Sequence, residues 1–304
     1  MDTEPPPAGD RLDAFVTALL SRCTLPPAGE AVVCAFSGGP DSAALVALAA
    51  RAGCVVTAVH VDHGLRPDSA HDAELARRIA DQLGVTFRCE QADVADGPNL
   101  EARARDARRL LLGDDALTGH TADDQAETTL LALLRGSGAA GLAGMQPDVR
   151  KPLLRLRRAE THRLCDLLEL EVADDPTNDD PRFRRNRVRN ELLPLTADIA
   201  DRDVVPLIAR AADLLRDDDG YLDDLAATLD PTDARQLAVA PLPLSRRALR
   251  RWLTNDGYPP DSAAIERVLA VARGDATGCE VGGGLTVRRS GQRLRLCSTP
   301  PTSG

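Results

Sequence analysis

The segment Ser37-Gly38-Gly39-Pro40-Asp41-Ser42 has the clearest chemical potential in this sequence, because it joins a predicted strand to a predicted helix. Residues 31–36 are β-branched or apolar and predict the strand, and residues 41–52 predict a helix that ends before Gly53. A helix N-terminus offers unbonded N–H groups and a partial positive charge, and two glycines let the backbone approach an anion closely. The segment is therefore predicted to bind phosphate.

Asp41 is the informative residue of this loop. An acid beside a phosphate cradle is useful when it holds Mg²⁺ or orients a pyrophosphate through the ion, and the hydroxyls of Ser37 and Ser42 add donors. The segment has no lysine, unlike the Gly-x-x-x-x-Gly-Lys-Ser/Thr loop of common nucleotide-binding proteins. On these six residues alone, a glycine-rich turn in which Asp41 or Ser42 only caps the helix stays open.

A second group of polar residues follows the next predicted strand, residues 54–61, where His60 and His63 flank Asp62. In a doubly wound sheet this point lies beside the first loop, so His60 and His63 are predicted to line the nucleotide pocket. A metal site is less favoured, because alternating residues of a strand point to opposite faces. The alternative is that these residues only end the strand and hydrogen-bond in the turn.

The third group surrounds a predicted strand at residues 116–119 and the helix at 122–134 that follows it. His120, Asp124 and Glu127 recur at helical spacing, so they are expected to share a face that looks onto the phosphate site. An acid pair there can bind the amine groups of a cationic substrate, or a metal. The alternative is that these acids only interact favourably with the partial positive charge of the helix N-terminus, which explains Asp123 well and His120 poorly.

Arginine-rich segments supply candidates for holding a polyanion. Residues 150–163 contain Glu160 as their only acid, and the segment 182–189 contains five arginines and no acid: Arg182, Arg184, Arg185, Arg187 and Arg189. On the predicted helix at 99–112, Arg105 and Arg108 are candidates for facing phosphates. For any one of these segments taken alone, a solvated helix face with salt bridges is the favoured alternative.

Strands and helices alternate along the chain, and this order must position the three groups. Mostly apolar strands alternating with helices predict an α/β fold with a doubly wound parallel sheet covered on both faces. We expect an N-terminal tail and helix at 1–28, a nucleotide-binding domain at 29–198 and a smaller, mainly helical domain at 199–304. The second domain ends in a glycine-rich, strand-like stretch at 281–296.

Composition restricts the class of protein. The chain has 304 residues, of which 43% are hydrophobic and 2% aromatic, so its core must be filled largely by Leu, Val and Ala. A net charge of -10 argues against indiscriminate binding of nucleic acid. The seven cysteines include no CxxC pair, which favours a reducing compartment. With no secretory signal and no apolar stretch near the ~20 residues needed to cross a bilayer, we expect a cytoplasmic protein without membrane contact.

Taken in order, these motifs resemble those of the bacterial tRNA(Ile)-lysidine synthetases, a family of PP-loop ATP pyrophosphatases, over roughly residues 30–195. The motif at 37–42 is shared by many PP-loop enzymes, whereas the motif that runs from 175 to 194 is much more particular to this family. One departure is Arg109, which stands where the family often has tyrosine. The matching segments are 37–42, 60–66, 99–108, 119–128, 135–138, 175–179, Phe183, 185–187 and 192–194.

The resemblance implies a reaction in two steps on the wobble cytidine of a tRNA(Ile) with a CAU anticodon. The 2-oxygen of the cytidine attacks the α-phosphate of ATP and releases pyrophosphate, and the ε-amine of free lysine then displaces AMP. The resemblance further implies a pyrophosphate cradle at 37–42, Mg²⁺ near Asp41 and an acidic lysine pocket at Asp124 and Glu127. His120 would handle protons or orient the adenylate, and Arg105 would neutralise its charge. The arginines of 182–189 would hold tRNA phosphates, residues 29–198 would be the catalytic domain, and the domain at 199–304 would recognise the tRNA.

Other functions remain open at this point. A tRNA sulfurtransferase of the same superfamily would activate the same kind of base, but it usually carries paired cysteines. An amidotransferase-like ligase acting on a small molecule would not need the arginines of 182–189. A nucleotide-sensing or RNA-binding module would not need Asp41, Asp124 and Glu127. The sequence also leaves the oligomeric state open, with a homodimer as one expectation.

Overall fold

The computed structural model describes residues 8–62, 69–92, 107, 109–173, 180–254 and 259–298. The chain divides into two compact units, Met1–Asp213 and Leu214–Gly304. The division falls within a long helix rather than near residue 198, so the predicted domain boundaries stay a prediction. Within the described ranges, no helix is both long enough and apolar enough to cross a membrane.

The first unit is built on a parallel sheet of three strands with helices between them. The strands are β1 (Ala31–Ala35), β2 (Val55–Asp62) and β3 (Thr86–Gln91), in the order β1-β2-β3. Val33 aligns with Thr57, and Val59 aligns with Arg88. The helices that precede and connect them are α1 (Ala8–Leu20), α2 (Pro40–Arg51) and α3 (Ser69–Gln82). The predicted α/β fold with a parallel sheet is confirmed.

The predicted fourth strand at 116–119 is wrong as a strand, because only Leu117 pairs with the sheet. Its N–H donates to Val33 O at 2.8 Å and its carbonyl accepts from Ala35 N at 2.8 Å, a single parallel bridge beside β1. The next N–H, that of Thr118, donates to Arg150 O at 2.8 Å and leaves the sheet. This bridge still places the segment on the side of β1 opposite β2.

Helices complete the first unit after this bridge. Helix α2 is buried along most of its length, from Ser42 to Ala49, and packs in one core with α3 and β1. A second apolar cluster joins Ala122 and Ala126 to Val188 and Leu193. The helical elements are α4 (Ala122–Leu134), α5 (Ala139–Leu142), α6 (Arg158–Leu167), α7 (Arg184–Arg187), a π-helical turn (Val188–Leu192), α8 (Leu193–Ala200) and α9 (Val205–Ala227).

The second unit combines helices with a small antiparallel sheet. Its helices after α9 are α10 (Ala234–Val239), α11 (Leu242–Leu253) and α12 (Ser262–Arg273). Its strands are β4 (Gly278–Gly282), β5 (Leu285–Ser290) and β6 (Arg293–Ser298), in the order β4-β5-β6. The predicted strand-like end at 281–296 is therefore an antiparallel sheet, and Leu249, Ile265 and Val287 pack in its core.

Candidate functional site

Residues 37–42, the phosphate loop, connect β1 to the N-terminus of α2. Gly38 has φ +83°, a conformation that favours glycine, and its carbonyl accepts from Ala173 N at 2.9 Å. The hydroxyls of Ser37 and Ser42 lie 3.1 Å apart, and Ser42 Oγ donates to Gly39 O at 2.9 Å. No side chain caps α2 at Gly39. The helix N-terminus is thus left without a competing cap, as an anion site requires.

The loop lies at a switch in sheet order, because β1 pairs with β2 on one side and with Leu117 on the other. Gly119 follows that bridge and passes against the start of α2. A Cβ at Gly119 would lie 2.6 Å from Asp41 O, so this close approach requires glycine. Open parallel sheets bind ligands beyond the carboxyl ends of their strands at such a switch. The two predicted motifs, 37–42 and 119–128, therefore meet here.

Asp41 is held from α6. Thr161 Oγ1 donates to Asp41 Oδ1 at 2.5 Å, and Arg158 Nε donates to Oδ2 at 3.4 Å. Burial raises the pKa of Asp41, and nearby Asp124 adds to this, while Thr161 and Arg158 lower it only in part. The carboxylate therefore gains from any further cation that reaches the loop.

Asp124 and Glu127, the predicted lysine pocket, lie on one buried face of α4 and are covered by arginines. Glu127 is fully buried. Its Oε2 accepts from Arg185 Nε at 2.7 Å, and its Oε1 accepts from Arg189 Nε at 2.7 Å and from Arg158 Nη1 at 3.2 Å. Both oxygens of Glu127 are therefore already occupied.

Asp124 has a double role. Its Oδ2 accepts from Thr121 N at 2.9 Å and so caps α4, while its Oδ1 accepts from Arg185 Nη2 at 2.9 Å and from Arg158 Nη2 at 3.2 Å. Burial by itself would raise the pKa of Asp124, but the charge of Arg158, the Thr121 N–H and the charge of Arg185 outweigh it and leave that pKa lowered. This carboxylate is therefore ionised at neutral pH.

Arg158 connects the two groups and was not among the predicted site residues. One guanidinium reaches Asp41, Asp124 and Glu127 within 3.4 Å. Burial would lower the pKa of Arg158, but the charges of these acids raise it. The cationic character of 150–163 pointed to this segment, although not to this residue. We name the six residues Asp41, Asp124, Glu127, Arg158, Arg185 and Arg189 the acid–arginine cluster; its three negative and three positive charges balance.

The arginines of 182–189 divide between the interior and the surface. Arg185 and Arg189 point inward to Glu127, so the prediction that they hold tRNA phosphates does not match their placement. Their inward position follows from the need to pair a fully buried carboxylate. Arg182 pairs with Asp180 and Arg187 with Glu191 at the surface. Arg184 is exposed and has no ion-pair partner within the described part of the chain.

The predicted histidines lie near the loop in different settings. His60 is buried on β2, with Nδ1 3.0 Å from Phe36 O, the carbonyl that precedes the loop. His120 precedes α4 rather than lying on it, and its Nδ1 lies 2.8 Å from Thr118 Oγ1. His120 therefore does not share the helical face of Asp124 and Glu127. His63 and Arg105 lie outside the described residues.

A metal ion at Asp41 stays a prediction. Across the described ranges, no group of three or more His, Cys, Asp and Glu side chains is arranged to hold an ion. Mg²⁺, however, is typically bound through one or two carboxylates together with substrate phosphates. The Asp41 carboxylate beside the phosphate loop fits that donor set.

Comparisons with known proteins agree with this geometry. A PP-loop domain model matches residues 13–196, and a TilS substrate binding domain model matches residues 233–295. Among solved structures, the U34-tRNA thiolase NcsA from Methanococcus maripaludis is similar with a TM-score of 0.54 at 19% identity, covering 69% of this chain and 79% of that one. At this identity the likeness shows the fold alone. The chain is thus a PP-loop protein, and this class of domain implies ATP binding.

Curated relatives identify the family within this class. The tRNA(Ile)-lysidine synthase of Nocardia farcinica is 44% identical over 297 residues, covering 90% of this chain and 93% of the relative. The tRNA(Ile)-lysidine synthase of Mycolicibacterium paratuberculosis is 45% identical over 271 residues, covering 83% and 82%. The chain belongs to the tRNA(Ile)-lysidine synthase family, and the resemblance stated from its motifs is confirmed.

Proposed function

We propose that this protein ligates free lysine to C2 of the wobble cytidine of tRNA(Ile) with a CAU anticodon, converting ATP to AMP and pyrophosphate through an adenylated cytidine. The observation that carries the proposal is the position of the acid–arginine cluster directly against the phosphate loop, with Arg158 joining Asp41 to Asp124 and Glu127. A site that activates a base with ATP and then receives an amine needs an anion cradle and an acidic subsite side by side.

In the first step, the phosphate loop holds the pyrophosphate portion of ATP at the N-terminus of α2. Mg²⁺ bound near Asp41 would neutralise charge on the phosphates. The Arg158 guanidinium lies within 3.4 Å of Asp41 Oδ2, so it is placed to stabilise the charge on the departing pyrophosphate. His120 and Arg105 remain our candidates for orienting the adenylate.

In the second step, lysine must find negative charge, and Asp124 with Glu127 supplies it. Their oxygens are satisfied by Arg158, Arg185 and Arg189, so at least one guanidinium must withdraw before a lysine ammonium can pair with Glu127. Arg185 is the first candidate, because its side chain is 36% exposed, against 23% for Arg189 and 20% for Arg158. Until lysine binds, the arginine guanidinium groups thus occupy the position beside the acids that we assign to its ammonium group.

For the tRNA, we assign phosphate contacts to the arginines of 182–189 that face outward: Arg182, Arg184 and Arg187. Arg187 exchanges its exposed partner Glu191 for a phosphate, which costs little because surface pairs are weak. Arg182 is itself exposed and leaves the partly buried Asp180. We also propose a cytoplasmic location, where tRNA and ATP are available. The expected homodimer stays a prediction.

Sulfur transfer is the nearest competing chemistry. When the sulfur is carried as a persulfide, this chemistry requires a reactive thiolate, and the cysteines nearest the loop do not provide one. Burial raises the pKa of the Cys34 thiol to about 12, and burial together with Asp41 and Asp166 raises that of Cys165 to about 12. Neither thiol would ionise at neutral pH, so lysine transfer accounts for the site better.

The test is incorporation of labelled lysine. The full-length protein is incubated with ATP, Mg²⁺, labelled L-lysine and a tRNA(Ile) transcript carrying CAU, with the CAU-bearing methionine tRNA as the matched control. We expect label in the isoleucine tRNA only, and one AMP released per lysine bound. Asp41→Asn should abolish ATP–pyrophosphate exchange in the presence of tRNA. Label in neither tRNA, under conditions where ATP binds, would overturn the proposal.

A further inference from the structure

A cavity of about 370 Å³ lies in the Leu214–Gly304 unit, between the end of α9 and one face of α11. Its walls include the apolar residues Leu229, Pro231 and Ala248, together with Arg251 and Trp252. Ala248, Arg251 and Trp252 are spaced three and four residues apart on α11, so they share one face of the helix. Arg251 is the one charged residue among the described residues that line the cavity.

Trp252 is the single tryptophan of the chain and is only half-buried. Its ring packs against the core of the second unit and also lines the cavity. A flat indole at the wall of an open cavity is a surface on which a planar ring can stack.

Arg246 and Arg247 of α11 have ion-pair partners, and Arg251 differs from them in this respect. Arg246 pairs with Glu266 at 2.6 Å, and Arg247 pairs with Asp219 at 2.5 Å. Arg251 is exposed, and no acid of the described residues in this unit lies within ion-pairing distance of it. Its charge is therefore available to an anion at the mouth of the cavity.

The two walls of the cavity differ in charge. The unit Leu214–Gly304 contains twelve arginines and twelve acidic residues, and six of those acids lie in residues 214–232, on the α9 side. Helix α11, by contrast, contains four arginines and no acid. A phosphate is therefore expected on the α11 side of the cavity, where Arg251 lies.

We propose that this cavity is a stacking subsite for one unpaired nucleotide of the tRNA substrate, with the base against Trp252 and its phosphate on Arg251. The proposal rests on the proposed function in that it takes tRNA as the substrate. A cavity of this size lies at the small end of ligand pockets, and single-stranded nucleotides are commonly bound by an aromatic ring beside an arginine.

The single tryptophan makes a direct test simple, because its emission reports on this cavity alone. Full-length protein is titrated with the CAU tRNA(Ile) transcript, without lysine or ATP, and tRNA binding is followed separately by filter retention. We expect quenching of tryptophan emission with the same midpoint as binding, and no change with ATP or AMP. Trp252→Phe supplies the blank. Unchanged emission on saturation with tRNA would overturn the proposal, and quenching by AMP alone would assign the cavity to a free nucleotide instead.

Three variants then separate stacking from general charge. Trp252→Leu keeps an apolar side chain but loses the flat ring, and we expect tRNA affinity to fall at least about ten-fold. Arg251→Gln should weaken binding and make the slope of log affinity against log salt shallower by about one. Arg250→Gln, on the same helix but outside the cavity, should keep its affinity. Equal losses for Arg250→Gln and Arg251→Gln would contradict a discrete subsite.

Two controls separate a loss of folding from a loss of tRNA binding. The thermal unfolding midpoint of Trp252→Leu shows whether the domain is intact, and Arg251→Gln, at an exposed position, tests the cavity without disturbing the core. Because affinity is measured without lysine or ATP, the result does not depend on catalysis. A protein that binds tRNA through Trp252 but forms no lysidine would overturn the proposed function and leave this subsite standing.

Discussion

The phosphate loop and the acid–arginine cluster share Asp41 but are built by opposite means. The loop depends on backbone geometry: a glycine at positive φ, a helix N-terminus and two hydroxyls 3.1 Å apart. The cluster depends on side-chain charge, with three acids and three arginines held in a buried network. The backbone N–H groups of such a loop can stay exposed to water without destabilising the fold. In a buried network, by contrast, folding stability falls whenever one charge loses its partner.

This difference fits the two ligands. The pyrophosphate portion of ATP has a fixed shape and charge, so preset N–H groups suit it. Lysine brings a positive charge that must replace another positive charge, so the acids must remain neutralised until it arrives. The arginines provide that neutralisation.

The largest effect is expected from Glu127→Gln. It leaves Arg158, Arg185 and Arg189 without their shared buried carboxylate, and we expect the free energy of unfolding to fall by about 3–5 kcal/mol. Urea denaturation measures the loss. Glu191→Gln, which removes the exposed partner of Arg187, is the matched control and should leave the free energy of unfolding close to that of the unmodified protein. Similar losses in the two variants would show that the cluster is not an interdependent buried network.

The loop side of the comparison is tested by Gly119→Ala. The new Cβ would lie 2.6 Å from Asp41 O and 2.8 Å from Asp41 C, so the start of α2 must shift. We expect a loss of about 1–3 kcal/mol in stability and a higher KM for ATP. In Gly220→Ala, the added Cβ has nothing within 4 Å and lies inside α9, so this control should instead stabilise by about 0.5–1 kcal/mol. An unchanged KM in Gly119→Ala would mean that this contact does not position the loop.

Local patterns predicted the loop and its neighbouring helix well. Periodicity gave the helix at 122–134, and the strand, glycine pair and helix start identified 37–42, because each depends on residues close in sequence. The cap of α4 by Asp124 is also readable from the spacing between Thr121 and Asp124, although our predictions for that acid were a ligand role or, as the alternative, a favourable interaction with the helix dipole.

Long-range pairing was not readable from the sequence. The cations on Glu127 come from 31, 58 and 62 residues further along the chain, and no periodicity specifies which arginine turns inward. The segment 116–119 was predicted as a strand from its composition, but the hydrogen bond from Thr118 to Arg150 diverts it after one bridge. Both outcomes depend on tertiary partners that a single sequence does not specify.

The contributions of Asp124 and Asp41 to folding stability should change with pH in opposite directions, although Arg158 contacts both carboxylates. The folded-state pKa of Asp124 is lowered, so its ionisation stabilises the fold at pH above its unfolded pKa, and this is lost as pH falls through the folded pKa. The folded-state pKa of Asp41 is raised, so its contribution is present at low pH and is lost as pH rises through that value.

We therefore expect Asp124→Asn to destabilise the protein at neutral pH, by a margin that narrows in acid, and Asp41→Asn to stabilise it at neutral pH while activity is lost. Unfolding free energies of both variants against pH provide the measurement. Parallel curves for the two variants would contradict the assigned pKa directions.

The smallest effect is expected at Asp230 in the second unit, where an exposed ion pair provides the contrast to the buried cluster. Hydrogen bonds from Thr232 and from Arg293 lower the pKa of Asp230 to about 2. Its side chain is 40% exposed, so solvent screens the pair, and Asp230→Asn should cost only ~0.5 kcal/mol. Its stabilising contribution is present above the unfolded pKa and is lost as pH falls towards about 2. A double-mutant cycle with Arg293→Gln measures the coupling, and a value as large as that between Glu127 and its arginines would mean that burial does not separate the two kinds of ion pair.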